Sequence, residues 1–285
     1  MLLDLSISII NTNNKDLTLG CLESIYANTR VASFEVLLVD NVSTDGSIEA
    51  VGAKFPEVDM VVNAVREGFA ANHNKNIKRS KGSRYVLVLN EDTYLKPGAI
   101  DTLVGFMDGH KDSGACGGTL LNEDGSLQHT GKFAPTLTAA VLISLGVHKV
   151  FPNNPVTAKY FHVKDDYSEF EEVEHINGAC LMVRRDTIDD VGLLDERFFV
   201  FCEDVDWCLR MREKGWKIYY VKAAEIYHYR GSSSASPRMI RVYHESLRKF
   251  YDKHFAPRRP FFVNWLVYAG IKSRLYISLM RGRIR

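Results

Sequence analysis

A pattern repeated through the first hundred residues most constrains the fold. Short, almost wholly apolar runs end abruptly in polar residues. Leu5 to Ile10 runs into Asn11-Thr12-Asn13-Asn14, Phe34 to Val39 into Asp40-Asn41, and Tyr85 to Leu89 into Asn90-Glu91-Asp92. Such runs read as buried strands. Stretches of helical character separate them. Asp16 is a candidate cap for a helix through Ile25 and Tyr26. Ser43-Thr44-Asp45-Gly46-Ser47 is a turn leading into a helix that ends near Phe55. Met60 to Val62 is a short further strand, Ala70 to Ser80 a helix, and Pro97 suits the start of a helix ending near Asp108. Strands alternating with helices imply βαβ units and a mostly parallel sheet flanked by helices. Such sheets bind ligands beyond the carboxyl ends of their strands. Asn11, Asp40 and Asp92 are therefore expected to converge on one crevice.

The second half has a different texture. Residues 120–175 hold loops, Pro135, Pro152, Pro155 and the acidic run Asp165 to Glu174, and are expected to form a variable segment lining an acceptor site. His175 to Val183 reads as a strand interrupted by Asn177-Gly178. Asp204 to Lys214 is an amphipathic helix stopped by Gly215, and Trp216 to Val221 is another strand. Residues 1–245 offer no clear boundary and are expected to form one domain, with 246–285 a basic, aromatic helical tail.

With 46% hydrophobic and 25% charged residues, the chain has the composition of a folded globular protein. The net charge of +1 hides an asymmetry: eight Lys or Arg residues and no acid follow Asp252, leaving the body net acidic. A local anionic partner for the tail is expected, and no nucleic acid. Phe261 to Ile271 is apolar and aromatic but shorter than the roughly 20 residues a spanning helix needs. An interfacial membrane segment and a helix packed in the fold or in a homodimer are the two alternatives. The five cysteines are scattered without a Cys-x-x-Cys pair, which disfavours a zinc site and fits a reducing compartment. The N-terminus lacks the basic and apolar regions of a signal peptide. A cytoplasmic protein, peripheral on the inner face of the membrane, is the expectation.

Three clusters carry the chemistry. Asp92, at a strand end, offers the oxygen ligand that Mg²⁺ or Mn²⁺ prefers when it bridges to a diphosphate. Glu91 beside it is a candidate donor contact. Asp40 is placed either to bond a nucleoside or to cap. Arg66 and the polar stretch Asn72-His73-Asn74-Lys75-Asn76 stand at a helix start, where backbone N–H groups meet phosphates, unless they form a solvated face. Phe201-Cys202-Glu203-Asp204-Val205-Asp206-Trp207 sets three acids beside a helix N-terminus; one of them is a candidate general base for an acceptor hydroxyl, with simple capping the alternative. His228, before Tyr229-Arg230-Gly231-Ser232, is a candidate second metal or phosphate ligand.

The runs SIIN, VDNVSTDGS, REGFAANHNKNI, VLVLNEDTYL, INGACLMVRR, LDERFFVFCEDVDWCLRMREKGWKI and IYHYRGSS occur in this order over roughly residues 5–235. Together they resemble the family-2 glycosyltransferases of the GT-A fold, near the rhamnosyltransferase-like group. The resemblance implies inverting transfer of a sugar, rhamnose from dTDP-rhamnose or a hexose from a UDP-sugar, to a cell-surface glycan or lipid-linked acceptor. It implies that Asn11, Asp40 and the Arg66 to Asn74 stretch contact the nucleoside, that Asp92 is the metal ligand and that His228 is a metal or diphosphate ligand. Asp204 would be the base, Glu203 would position a sugar, and Asn177-Gly178-Ala179 would line the sugar pocket. The first position of the family's acidic triplet is Asn90 here, which leaves one firm carboxylate and implies weak metal binding by the free enzyme. A nucleotidyltransferase and a non-catalytic nucleotide-sugar-binding module are the competing classes.

Overall fold

The computed structural model describes residues 3–80, 82–128, 150–151, 154, 169–229 and 236–282. The expectations for Pro135, Pro152, Pro155, residues 165–168 and the Gly231-Ser232 loop lie outside them. The first half alternates as expected: β1 (Leu5–Asn11), α1 (Lys15–Asn28), β2 (Phe34–Asp40), α2 (Ser47–Lys54), β3 (Asp59–Val62), α3 (Phe69–Arg79), β4 (Tyr85–Asn90), β5 (Thr93–Leu95) and α4 (Ala99–Gly109). Then come β6 (Ser113–Leu121), β7 (Phe170–Val173), β8 (Cys180–Arg184), α5 (Arg185–Val191), α6 (Glu203–Glu213), β9 (Lys217–His228), α7 (Pro237–His254) and α8 (Phe261–Gly282).

One sheet runs β3-β2-β1-β4-β8-β6-β9-β5, with β7 also on β9. The pairs among β1 to β4 are parallel. β8 runs antiparallel between β4 and β6, and β9 is parallel to β6. Hence β1, β2, β3, β4, β6 and β9 share one direction, while β5, β7 and β8 oppose it. The sheet is mostly parallel, as expected, and the carboxyl ends of its parallel strands share one edge.

Strand alternation sorts the core into two layers. Leu5, Ile7 and Ile9 pack with Leu87 and Leu89 against α1, α2 and α4. On the other face, Val86, Val88, Leu181 and Val183 pack against α3, α5 and α6, with Trp207 fully buried. That second layer has a polar part. Ser8 Oγ lies 2.7 Å from His73 Nδ1, and Asn76 Nδ2 donates to Ser8 Oγ, Ile9 O and Leu37 O. The polar face of α3 is therefore turned into the sheet, where its amides satisfy buried backbone carbonyls.

Several sequence expectations need correction. Asn14, not Asp16, precedes α1, and Asp16 lies in its first turn. Residues 175–179 are outside any strand; β8 begins only at Cys180. β9 continues well past Val221 through Ile226 and Tyr227, because β6 and β5 supply its ladder there. β6 escaped notice because its glycines conceal the apolar pattern. A Cβ on Gly118 would stand 2.1 Å from Ala224 O, and one on Gly117 2.3 Å from Ile176 Cγ2. Residues 170–173, within the stretch expected as loop, form β7. The expected division after residue 245 falls inside α7.

His73 gives the fold a pH dependence. Burial pushes its imidazole from the ordinary 6.5 down to about 3. The unfolded chain takes up this proton first as pH falls, so the contribution is complete above the unfolded value and lost progressively below it. Between about pH 7.5 and pH 5 this group alone is expected to remove about 2 kcal/mol of stability. Urea unfolding at both pH values checks it: His73→Phe is expected to flatten the decline by that amount, and an unchanged decline contradicts it.

Candidate active site

The first polar strand ends form a closed knot. Asn11 Nδ2 donates to Asp40 Oδ1 (2.8 Å), Ser43 Oγ (3.0 Å) and Ser47 Oγ (2.7 Å), while Asn11 Oδ1 accepts from Thr18 Oγ1 (2.9 Å). Asp40 Oδ2 accepts from Ser43 N. Asp40 is fully buried. These two side chains hold the β1 and β2 ends and the 43–47 turn together. They build the crevice wall, and the Asp40 bond to Ser43 N is the capping alternative of the two roles expected for it.

The α3 start is also different from expectation. Phe69 N donates to Phe199 O at 2.6 Å, and a Cβ on Gly68 would lie 2.5 Å from that same oxygen. A carbonyl therefore covers the helix N-terminus where phosphate was expected. Asn72 bonds Asn63 and Glu67 O, and Asn74 bonds the Leu194 backbone and Glu196 Oε1. Both are buried loop anchors. Arg66 is exposed on the turn before α3.

The end of β4 meets the end of β9 through β5, which follows β4 closely and pairs antiparallel with β9. Thr93 is registered with His228, and Tyr229 N donates to Asp92 O. His228 Nε2 lies 3.3 Å from Asp92 Oδ1 and 3.4 Å from Asn90 Nδ2. Gln128, which sequence reasoning missed, orients the ring. Its Nε2 donates to His228 O (2.6 Å), which turns its Oε1 toward His228 Nδ1 (3.0 Å). With the Nδ1 proton donated to Gln128, the neutral imidazole turns its Nε2 lone pair toward Asp92. Asp92 Oδ1 is buried without a hydrogen-bond partner. In that form two acceptors face each other at 3.3 Å, a spacing that suits two ligands of one small cation. Among the described residues no group of three His, Cys, Asp or Glu side chains is set to hold a metal. Phosphate oxygens and water would have to complete the coordination of a Mg²⁺ or Mn²⁺ at this pair. Glu91, accepting from Asn14 Nδ2 (2.9 Å), is pushed up to about 7 by burial first and by Asp92 beside it.

The third group reaches the same edge because β8 is antiparallel. Its beginning lies beside the end of β4, and Asn90 N donates to Ala179 O (3.1 Å). Asn177 Oδ1 accepts from Ala179 N, shaping a turn that directs Gly178 N to Asp204 Oδ2 (3.0 Å). A Cβ on Gly178 would sit 3.3 Å from Phe69 Cζ and 3.6 Å from Asp204 Cβ. Two left-handed residues, Phe201 (φ 71°) and Cys202 (φ 70°), launch α6 with Glu203 and Asp204 in its first turn. Non-glycine residues adopt this conformation at a cost of about 1–3 kcal/mol each, commonly at functional sites. Glu203 is 4% exposed, and its Oε2 has no partner. Burial, then the Asp204 and Asp206 charges, push its carboxyl well above the usual range. Both causes favour the protonated form of Glu203, which can donate a hydrogen bond beside Asp204. His175, also missed, is buried with an unpartnered Nδ1; burial lowers its pKa while the nearby Asp204 charge opposes. Asp206 faces away from this edge and is buried against Arg210, Lys253 and His254.

Comparison with known proteins shows the family. The family model for glycosyl transferase family 2 matches residues 6–192. An N-acetylglucosaminyl-diphospho-decaprenol L-rhamnosyltransferase of Mycobacterium tuberculosis is 31% identical over 88% of this chain and 86% of its own length. A rhamnosyltransferase of Escherichia coli K12 is 23% identical over 87% of each chain, and a dTDP-rhamnosyl transferase of Shigella flexneri is 22% identical over 86% of this chain and 76% of its own. Among solved structures, GalNAc-T7 with UDP, GalNAc and Mn²⁺ superposes with a TM-score of 0.62 at 15% identity; the match covers 88% of this chain and 50% of that one, and shows the shared GT-A fold. The strand order, the motifs at its edge and these matches agree, and the chain belongs to glycosyl transferase family 2, in its rhamnosyltransferase-like group.

Proposed function

We propose that this glycosyltransferase moves rhamnose from dTDP-rhamnose to a hydroxyl of a lipid-linked or cell-surface glycan acceptor, with inversion at the anomeric carbon. A hexose from a UDP-sugar is the second donor class. The observation that carries the proposal is the hydrogen bond from Gly178 N to Asp204 Oδ2, which ties a carboxylate to the sheet edge that also holds Asp92 and His228. The names of the relatives support rhamnose and the lipid-linked acceptor class.

The residues divide the work by their environments. Glu203, kept neutral by burial and by the carboxylates beside it, is a donor to a sugar hydroxyl. That leaves Asp204 as the base. Its Oδ2 is oriented by Gly178 N and its Oδ1 by Val205 N. Asp204 accepts the acceptor's hydroxyl proton as that oxygen bonds to C1. The bond from C1 to the diphosphate oxygen breaks on the opposite face, and its electron pair leaves with the nucleoside diphosphate. Asp92 Oδ1 and His228 Nε2 would hold Mg²⁺ or Mn²⁺, with Gln128 fixing the imidazole. When bound, the ion supplies Lewis acidity to the departing diphosphate. Asn11 and Asp40 keep the nucleoside side of the crevice rigid from within.

Two substitutions test these roles. Asp92→Ala is expected to abolish transfer and to remove the Mn²⁺-dependent part of donor binding, measured by calorimetry, while the thermal transition stays cooperative. Full turnover in excess EDTA contradicts it. Asp204→Asn is nearly isosteric and cannot accept the proton. It is expected to keep donor affinity and to lose about 10²–10⁴-fold in kcat. If Glu203→Gln proves the more damaging change, the two roles are reversed.

A further inference from the structure

The C-terminal helix α8 leaves a largely apolar face uncovered. It is 22 residues long and continues well past the apolar run Phe261 to Ile271. At about 33 Å it is long enough to cross a bilayer, yet no described helix is apolar enough to do so. Asn264 and Tyr268 are turned toward α7 and the turn that follows it. Asn264 Oδ1 accepts from Tyr251 Oη and Asn264 Nδ2 donates to Ala256 O. Tyr268 Oη donates to Asp252 Oδ1, with Arg248 5.2 Å over the Tyr268 ring. The exposed face is mostly apolar: Phe262, Trp265, Leu266, Tyr276, Ile277 and Met280 are all exposed, Trp265 by 67%, with Lys272 and Ser273 among them. Their spacing puts them on one stripe along the helix.

We propose that this face of α8 is a docking surface for the anionic surface of a lipid bilayer, on which the helix lies flat. Charge decides for lipid over a second copy of the chain. From Lys253 onward the sequence carries eight Lys or Arg and no acid. Arg258 and Arg259 are exposed just before α8, and Lys272 is exposed within it. Isologous packing of α8 on α8 would bring these cations together with no acid in the segment to pair them. Anionic headgroups match the same pattern, cations at the phosphate level and rings and alkyl chains below it. The docking helix is firmly joined to the catalytic edge. Lys253 Nζ and His254 Nε2, at the end of α7, reach the fully buried Asp206 at 2.5 Å and 2.7 Å, close in sequence to Asp204. A bilayer under α8 would thus hold the crevice at a fixed height above the membrane, which suits a lipid-linked acceptor; this last consequence alone rests on the proposed function.

Flotation of the full chain with vesicles tests the inference. The unaltered protein is expected to float with vesicles of equal parts phosphatidylglycerol and phosphatidylcholine, more weakly as salt rises, and not with phosphatidylcholine alone. Phe262→Ser, Trp265→Ser and Leu266→Ser combined are expected to cut partitioning by about tenfold or more, and Arg258→Gln with Arg259→Gln to reduce the preference for anionic vesicles. All of these positions are exposed, and circular dichroism checks that each variant is folded. Absence of flotation, equal flotation of all variants, or a solution dimer that the triple variant dissociates and that ignores vesicles would each overturn it. Nucleoside diphosphate release with a short water-soluble acceptor, read in parallel, is expected to be unchanged in these variants, so failure of docking and failure of transfer are separate results.

Discussion

The site depends on one pairing: β8 lying antiparallel against β4, with Leu89 registered to Cys180. In a sheet whose other central strands run one way, only a reversed strand brings its beginning to their carboxyl edge. This reversal delivers the Asn177-Gly178 turn to Asn90 and, through one backbone N–H, fixes the Asp204 carboxylate there. β9, running with β4, brings the end of its own strand to the same edge and sets His228 against Asp92. Asp92, His228 and Asp204 are brought to one edge by strand direction before any side-chain preference enters.

Burial then differentiates groups that look alike in sequence. Glu203, Asp204 and Asp206 are three acids in one helical turn, but their surroundings give them three states. Glu203 has no partner for Oε2, and its burial favours the protonated form. Asp204 is oriented by backbone donors. Burial would raise Asp206, but hydrogen bonds from His254 and Lys253 and the Arg210 charge outweigh it and keep it ionised. Removing one partner from such a buried cluster typically costs several kcal/mol, so Asp206 serves as an anchor between α6 and α7.

Much of this was legible in the sequence where a signal is local. The βαβ alternation and the convergence of strand ends follow from apolar runs and from strand direction, and the same edge brings Asp92 and His228 together. What was hidden has physical causes. β6 is rich in glycines demanded by close backbone approach, and they erase the hydrophobic pattern. The Asn72 to Asn76 stretch looked like a ligand-binding helix start because buried amides that satisfy carbonyls are indistinguishable in composition from exposed ones. Gln128 lies far from His228 in sequence, in a segment with no periodicity, and nothing near it marks it as the group that sets the imidazole tautomer. The direction of the α8 face was likewise undetermined, since apolar residues at helical spacing serve equally for burial and for an interface.

The central claim is that Asp92 and His228 form half of a cation site which a nucleoside diphosphate completes. A crystal grown with dTDP and Mn²⁺, with anomalous differences measured at the manganese edge, addresses it directly. The predicted result is one anomalous peak bonded to Asp92 Oδ1 and His228 Nε2 and to oxygens of the diphosphate, with Gln128 Oε1 still on His228 Nδ1. Ordered diphosphate at this edge with no such peak, or manganese held by Glu91 or Glu203 instead, would contradict it.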